Sequence, residues 1–351
     1  MTIVQAEEEF VKLLPARQSG KQPSPELRNA AKRWAEMVWA GAEARGPVFL
    51  SQSQIEQGLK LTENPVYICG VSHSGATLLH NLLDGHPDLV VLPSDGSYHT
   101  CFEPKASPLG DTERLKFFAT EWMCRLVNPV NYPPYWLLGT SSARFCPYVD
   151  FGRYLLVWWA AVPRNRSNWP HLAVVLAYAS ATNKLEAKYW VDETAGNECF
   201  LERIWQDAPR AKAIQLISEP SSILSAHKKG NQFNIRNTLK DLRSSFRVAA
   251  EQAGNKHFLL VRNEELCKQP ADTLKAITTF LDIGVSETLT DPTVAGKPVE
   301  TDLKTSDGSI SSNEKKLLHA FMADEVEKLS YPTESVNALS KFYLKLRHRL
   351  F

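Results

Sequence analysis

Short apolar runs bounded by turn residues recur along the chain, with longer amphipathic stretches between them. Val66–Cys69 (VYIC), Leu89–Leu92 (LVVL), Lys188–Asp192 (KYWVD), Ala211–Ile217 (AKAIQLI) and His257–Val261 (HFLLV) are apolar with little polar alternation. That pattern predicts strands covered on both faces. Residues 77–83 (TLLHNLL), 199–206 (CFLERIWQ), 221–227, 237–252 and 271–281 read as helices between and after them. Strand–helix alternation predicts an α/β fold with a central parallel sheet flanked by helices. Such sheets bind ligands at the carboxyl ends of their strands.

The flanks of this pattern are helical. Pro25 leads into ELRNAAKRWAEMVWAGAEA, which aligns Leu27, Ala31, Trp34 and Val38 on one stripe. Residues 1–60 are therefore expected to form an N-terminal helical appendage on a main domain spanning 61–351. Within that domain, 95–187 is rich in Trp, Tyr, Phe and Pro, with helical stretches near 112–127, 150–162 and 170–182. It reads as an insertion over the mouth of the site. Its aromatics Trp122, Tyr132, Tyr135, Trp136, Phe145, Tyr148, Trp158 and Trp159 are candidates for either an acceptor pocket or core. Two further helices are expected at about 312–329 and 335–349.

Composition narrows the function classes. The 351 residues carry a net charge of +1, which gives no bulk attraction to nucleic acid. The most apolar run, Tyr154–Val162, has nine residues and is too short to span a bilayer. The acidic start MTIVQAEEEF has no signal-peptide character. Six cysteines at 69, 101, 124, 146, 199 and 267 form no paired motif, so reduced thiols and a cytoplasmic location are expected, with Cys69 and Cys199 in the core. The histidines show no metal-ligand spacing, and no metal is expected.

One stretch carries chemistry. GVSHSGAT, Gly70–Thr77, has the glycine and threonine spacing of a phosphate-binding loop, G-x-x-x-x-G-K-[ST], and lies between a predicted strand and helix. Ala76 stands where the lysine should be. Backbone N–H groups of such a loop bind anions without side-chain charge. Transfer of a γ-phosphoryl group needs more cationic help than this, usually with Mg²⁺, so a nucleotide kinase or NTPase is disfavoured.

The same stretch, extended to GVSHSGATLLHNLLDGHPDLVVLP, resembles the first signature of the sulfotransferase superfamily, whose donor is 3′-phosphoadenosine 5′-phosphosulfate (PAPS). KYWVDETAGN resembles the family's middle segment, and APRAKAIQLISEPSSILSAHKK resembles its second signature. FLLVRNEELCKQPADTLKAITTFLDI and VEKLSYP resemble the later elements. The likeness covers about 64–332, in the expected order. It implies a P-loop-like sulfotransferase fold and transfer of sulfonate from PAPS to a hydroxyl or amine of a small-molecule acceptor. Ser72, His73, Ser74, Gly75, Ala76, Thr77 and Leu78 would hold the 5′-phosphate. Ser218 and Ser225 would lie at the 3′-phosphate, with Lys228, Lys229, Arg236 or Lys304 as a compensating cation.

The chain departs from the family at charged positions. His73 replaces the loop's Lys or Arg, Ser218 replaces an Arg, Glu193 replaces a Lys and Ala76 replaces a hydroxyl donor. His73 is the candidate electrophilic assistant. The base is Asp95 or His99, both in LPSDGSYHT after the second strand. Loss of the cations leaves a second reading open, a non-catalytic binding or scaffold protein on this fold. Neither nucleic acid nor membrane is expected as a partner, and the oligomeric state is open.

Overall fold

A computed structural model describes residues 1–13, 24–93, 95–122, 145–229, 233–294, 297–298, 310–333 and 336–348. The five apolar runs are strands: β1 Pro65–Cys69, β2 Leu89–Val91, β3 Tyr189–Glu193, β4 Lys212–Ile217 and β5 Phe258–Arg262. They form one parallel sheet in the order β2-β3-β1-β4-β5. A short antiparallel pair, β6 Thr293–Val294 and β7 Lys297–Pro298, stands apart from it. The helices are α1 Ile3–Leu13, α2 Pro25–Arg45, α3 Gln52–Leu61, α4 Ala76–Leu83, α5 Glu103–Ala106, α6 Asp111–Phe117, α7 Phe145–Ala161 and α8 Trp169–Ala181. They continue as α9 Leu201–Asp207, α10 Pro220–Lys228, α11 Ile235–Glu251, α12 Asn263–Lys268, α13 Pro270–Leu281, α14 Ser312–Lys328 and α15 Ala338–His348. Among the described residues, no helix is long and apolar enough to cross a membrane.

Side-chain alternation sorts the strands' residues onto two faces. Val66, Ile68, Val191, Ile214 and Leu216 pack with α4, α12 and α13 through Leu79, Leu82, Leu266, Leu274 and Ile277. Tyr67, Cys69, Val90, Trp190 and Ala213 face the other way, into a cluster that includes Phe10 of α1, Trp34 of α2, Trp158 of α7 and Leu172 of α8. The N-terminal helices thus bury their apolar stripe in the cluster that backs the sheet. A third cluster joins Ile217 to α10, α11 and α14 through Leu224, Phe246 and Leu317. Fully burying one such side chain contributes about 1.5–3 kcal/mol.

The aromatic-rich region contributes interior. Every residue from Trp169 to Ser180 in α8 is buried, and Trp158 donates its indole N–H to Ser180 Oγ at 2.8 Å. Trp158 and Trp159 are core. Tyr132, Tyr135 and Trp136, and the side chains of Trp122, Phe145 and Tyr148, lie outside the described residues. One expectation fails: Cys69 is buried, but Cys199 is exposed. It lies in the 3₁₀ turn Asn197–Phe200 that leaves β3, where the chain turns toward Ser244 of α11 instead of continuing into the sheet.

Candidate active site

The sheet order puts β1 in the middle, so the Gly70 loop lies at the centre of the sheet's carboxyl edge. β1 is buried throughout and stops at Gly70. The loop then closes on itself, with Ser74 N–H donating to Val71 O at 3.0 Å. Gly75 caps α4 in the left-handed region at φ 95°, with no side-chain cap. The first N–H groups of α4 are therefore left for a ligand or water. Gly75 could carry nothing larger: a Cβ there would lie 2.2 Å from Asn263 Oδ1 and 2.5 Å from Asn263 Cγ. His73 also holds a positive φ of 69°, a conformation that costs a non-glycine residue free energy.

Ser74 is fully buried, and its Oγ has no hydrogen-bond partner. Buried hydroxyls are normally satisfied. The Ser74 hydroxyl lies inside the loop, close against Gly70. Ser72, His73 and Thr77 are exposed at the rim, Leu78 is half-buried and Ala76 is buried beneath. Glu198, itself buried, accepts from Gly70 N–H at 3.0 Å.

At the end of β4 the picture changes. Ser218 donates its hydroxyl to Glu264 Oε1 at 2.8 Å. The same oxygen accepts from Glu219 N–H at 2.6 Å, and Tyr331 OH donates to Glu264 Oε2 at 3.1 Å. The expected phosphate ligand is thus engaged by a carboxylate. Ser225 is buried in α10. Lys228 is paired with Glu314 at 2.9 Å, and Lys304 lies outside the described residues.

The segment after β2 is pinned by the buried Asp192 carboxylate, with His171 beside it. His171 Nε2 lies 3.3 Å from Asp192 Oδ2, and both side chains are 1% exposed. Asp192 Oδ1 accepts from Gly96 N–H at 3.0 Å and from Thr194 Oγ1 at 3.1 Å. Thr194 Oγ1 in turn accepts from Ser97 N–H at 2.8 Å. Burial works to raise the Asp192 carboxyl, but His171, the Gly96 amide and Thr194 outweigh it and hold the group below its ordinary range. Asp95, partly exposed, accepts from Ser97 Oγ at 3.0 Å.

His99 lies deeper. Its Nδ1 is 3.2 Å from Glu103 Oε2, and Glu103 is gripped by the Arg203 guanidinium through both carboxylate oxygens. Its Nε2 is buried without a partner. Phe200 stacks on the ring at 5.3 Å, with Tyr98 edge-on at 5.1 Å. With Nδ1–H given to Glu103, the Nε2 lone pair is the free one. Burial lowers the His99 pKa more than Glu103 raises it.

His73, His80, His99 and His227 are all lowered, each chiefly by desolvation, which is complete at His80 and only partial at His73 on the rim. Groups with depressed folded pKa values contribute stability above the unfolded pKa, about 6.5 for His, and lose it as pH falls. The urea midpoint is therefore expected to drop steadily between about pH 7 and 5. A midpoint constant over that range would show that these histidines take up protons equally in both states.

Several of these groups escape sequence reading. Asp192 and His171 look like ends of apolar segments, and nothing in their spacing pairs them across 21 positions of chain. The opposition of Ser218 and Glu264 likewise depends on β4 and β5 being neighbours. The only available signal was a charged residue closing the apolar run YWVD.

No family model matches the chain, and no curated protein matches it. Among solved structures it is similar to the sulfotransferase domain of the Synechococcus PCC 7002 olefin synthase, at 19% identity and TM-score 0.43, over 82% of this chain and 94% of that one. It is similar to the sulfotransferase domain from the curacin biosynthetic pathway at 16% identity and TM-score 0.43, over 82% and 98%. It is also similar to sulfotransferase STF9 from Mycobacterium avium at 14% identity and TM-score 0.42, over 94% and 98%. Likenesses at this level establish neither family nor activity for this chain.

Proposed function

We propose that the protein transfers a sulfonate group from a nucleotide 5′-phosphosulfate to a hydroxyl or amine of a small-molecule acceptor. The observation that carries this is the lysine-free loop at Gly70–Thr77. Its buried Ser74 hydroxyl lacks a partner, and the first turn of α4 lacks a cap. A phosphosulfate places one charge on each of its two centres, a lighter demand than a triphosphate makes. In the reaction the acceptor atom forms a bond to sulfur. The bond from sulfur to the bridging phosphate oxygen breaks, and the nucleotide 5′-phosphate leaves. The acceptor's proton passes to His99 Nε2, which Glu103 and Arg203 hold in the accepting tautomer.

The loop fits the 5′ end of PAPS, the donor that the sequence resemblance implies. The β4 end fits its 3′-phosphate poorly, because Ser218 is committed to Glu264 and a second anion beside that carboxylate is repelled. Calorimetric titration should therefore show adenosine 5′-phosphosulfate binding at least as tightly as PAPS. Glu264→Gln should favour PAPS by about tenfold, the effect of one charge at close range. Tighter wild-type binding of PAPS would remove the argument from Glu264. Binding of neither donor would reject the transferase reading in favour of a non-catalytic scaffold, which the missing cations already favour. Gly75→Ala serves as the control: it should abolish binding of both.

A further inference from the structure

The loop that lacks a lysine has acquired a second histidine from elsewhere in the chain. His227 sits in the last turn of α10. Its ring stands edge-on to His73, 4.8 Å between centroids at 88°. It is also hydrogen-bonded to the backbone of Ser72, which fastens it to the loop. His73 is meanwhile held in the left-handed region beside the buried, unpartnered Ser74 hydroxyl. Two imidazoles from separate elements thus converge on the rim of one anion cradle.

Among the described residues, the charged groups acting on the pair or on its neighbours come from three elements. Asp241 of α11 acts on His227. Glu198 and Cys199 come from the 3₁₀ turn after β3: Glu198 is engaged by Gly70 N–H, and Cys199 faces Ser244. Arg247 of α11 lies near Cys199, and the adjacent Lys228 is tied to Glu314. Partial desolvation favours the neutral form of each ring, and their closeness lowers His73 further. An incoming oxyanion reverses that balance, since a negative charge against the rings favours the protonated form.

We propose that His73 and His227 form a proton-coupled oxyanion clamp, which takes up one proton when a sulfate- or phosphate-type group enters the loop. The cation that other phosphate loops carry permanently is generated here only on binding. One proton goes from solvent to a ring nitrogen of the pair, no covalent bond changes, and the proton returns when the anion leaves. This inference rests on the reading of the loop as an anion cradle and adds a residue to it. His227 is a binding residue contributed by the helix after β4.

The probe is adenosine 5′-phosphosulfate, which lacks the phosphate monoester ionisation near pH 6 and so keeps constant charge through the titration. Calorimetry between about pH 8 and pH 6 should show affinity rising as pH falls, approaching tenfold per pH unit, the limit for one linked proton. Repeating the wild-type titration in two buffers of different ionisation enthalpy should give uptake near one proton per ligand. His227→Gln should flatten the pH slope, with its thermal unfolding recorded to show that it folds. A wild-type affinity independent of pH, or a slope unchanged in His227→Gln, overturns the clamp while leaving the cradle intact. Absence of binding at every pH overturns the cradle and the clamp with it. The buffer experiment needs no variant, so the proposal stands or falls even if His227→Gln does not fold.

Discussion

His171→Ala is expected to lower the free energy of unfolding by about 2–4 kcal/mol, the cost of a cavity in the core together with the loss of a polar neighbour to a buried carboxylate. Both side chains are 1% exposed at 3.3 Å separation, so water cannot take over for the missing imidazole. Asp192 would keep the Gly96 amide and the Thr194 hydroxyl, which do not neutralise its charge. The removed ring also packs against Tyr98 at 5.1 Å and Trp190 at 5.5 Å, and its loss leaves a cavity in the core. Urea denaturation measures the effect. His171→Ala with Asp192→Ala completes a double-mutant cycle that separates the coupling between the two side chains from the cavity. A loss under about 1 kcal/mol for the single variant would mean that the pair is not the pin holding residues 95–97.

His99→Ala should lower the rate of sulfonate transfer by about 10²–10⁴-fold, the usual contribution of a positioned base. The affinity for adenosine 5′-phosphosulfate should hardly change, because His99 lies after β2 and the cradle lies after β1. The assay follows release of nucleotide with phenols, amines or water as acceptors. Glu103→Gln, which leaves the ring in place but weakens its orientation, should cost less. Asp95→Ala is the discriminating variant. Asp95 is more exposed and is engaged by Ser97 Oγ. If Asp95→Ala abolishes turnover while His99→Ala does not, Asp95 is the base and His99 a wall of the pocket. The lowered His99 pKa has the right sign for a base at neutral pH. The ring is unprotonated there, and activity should fall only as pH drops through that depressed value.

The two variants probe different layers of one design. The buried pair sets the backbone of the segment after β2, and the orphaned His99 nitrogen is presented by that segment. The Gly70 loop is set independently by close packing at Gly75. Coupling between H171A and donor affinity is therefore expected to be weak, while coupling with turnover is expected to be strong.

The sequence alone determined the sheet and the loop. Continuous apolar runs such as VYIC and AKAIQLI read as doubly covered strands because burial on both faces leaves no room for polar alternation. Glycines at 70 and 75 in a strand–loop–helix context specified a tight loop because local backbone geometry is encoded locally. The expected helix after the loop and the strand at 188–192 both appear within a residue or two of their predicted ends. Only the tertiary structure decided which charges meet. The strand order β2-β3-β1-β4-β5 sets Glu264 against Ser218. Chain packing likewise brings His227 to His73, His171 to Asp192 and Arg203 to Glu103. Each of these pairs joins residues distant in sequence, and a histidine or carboxylate carries no mark of its partner. Pairing through space fixes protonation, and protonation fixes what these groups can do.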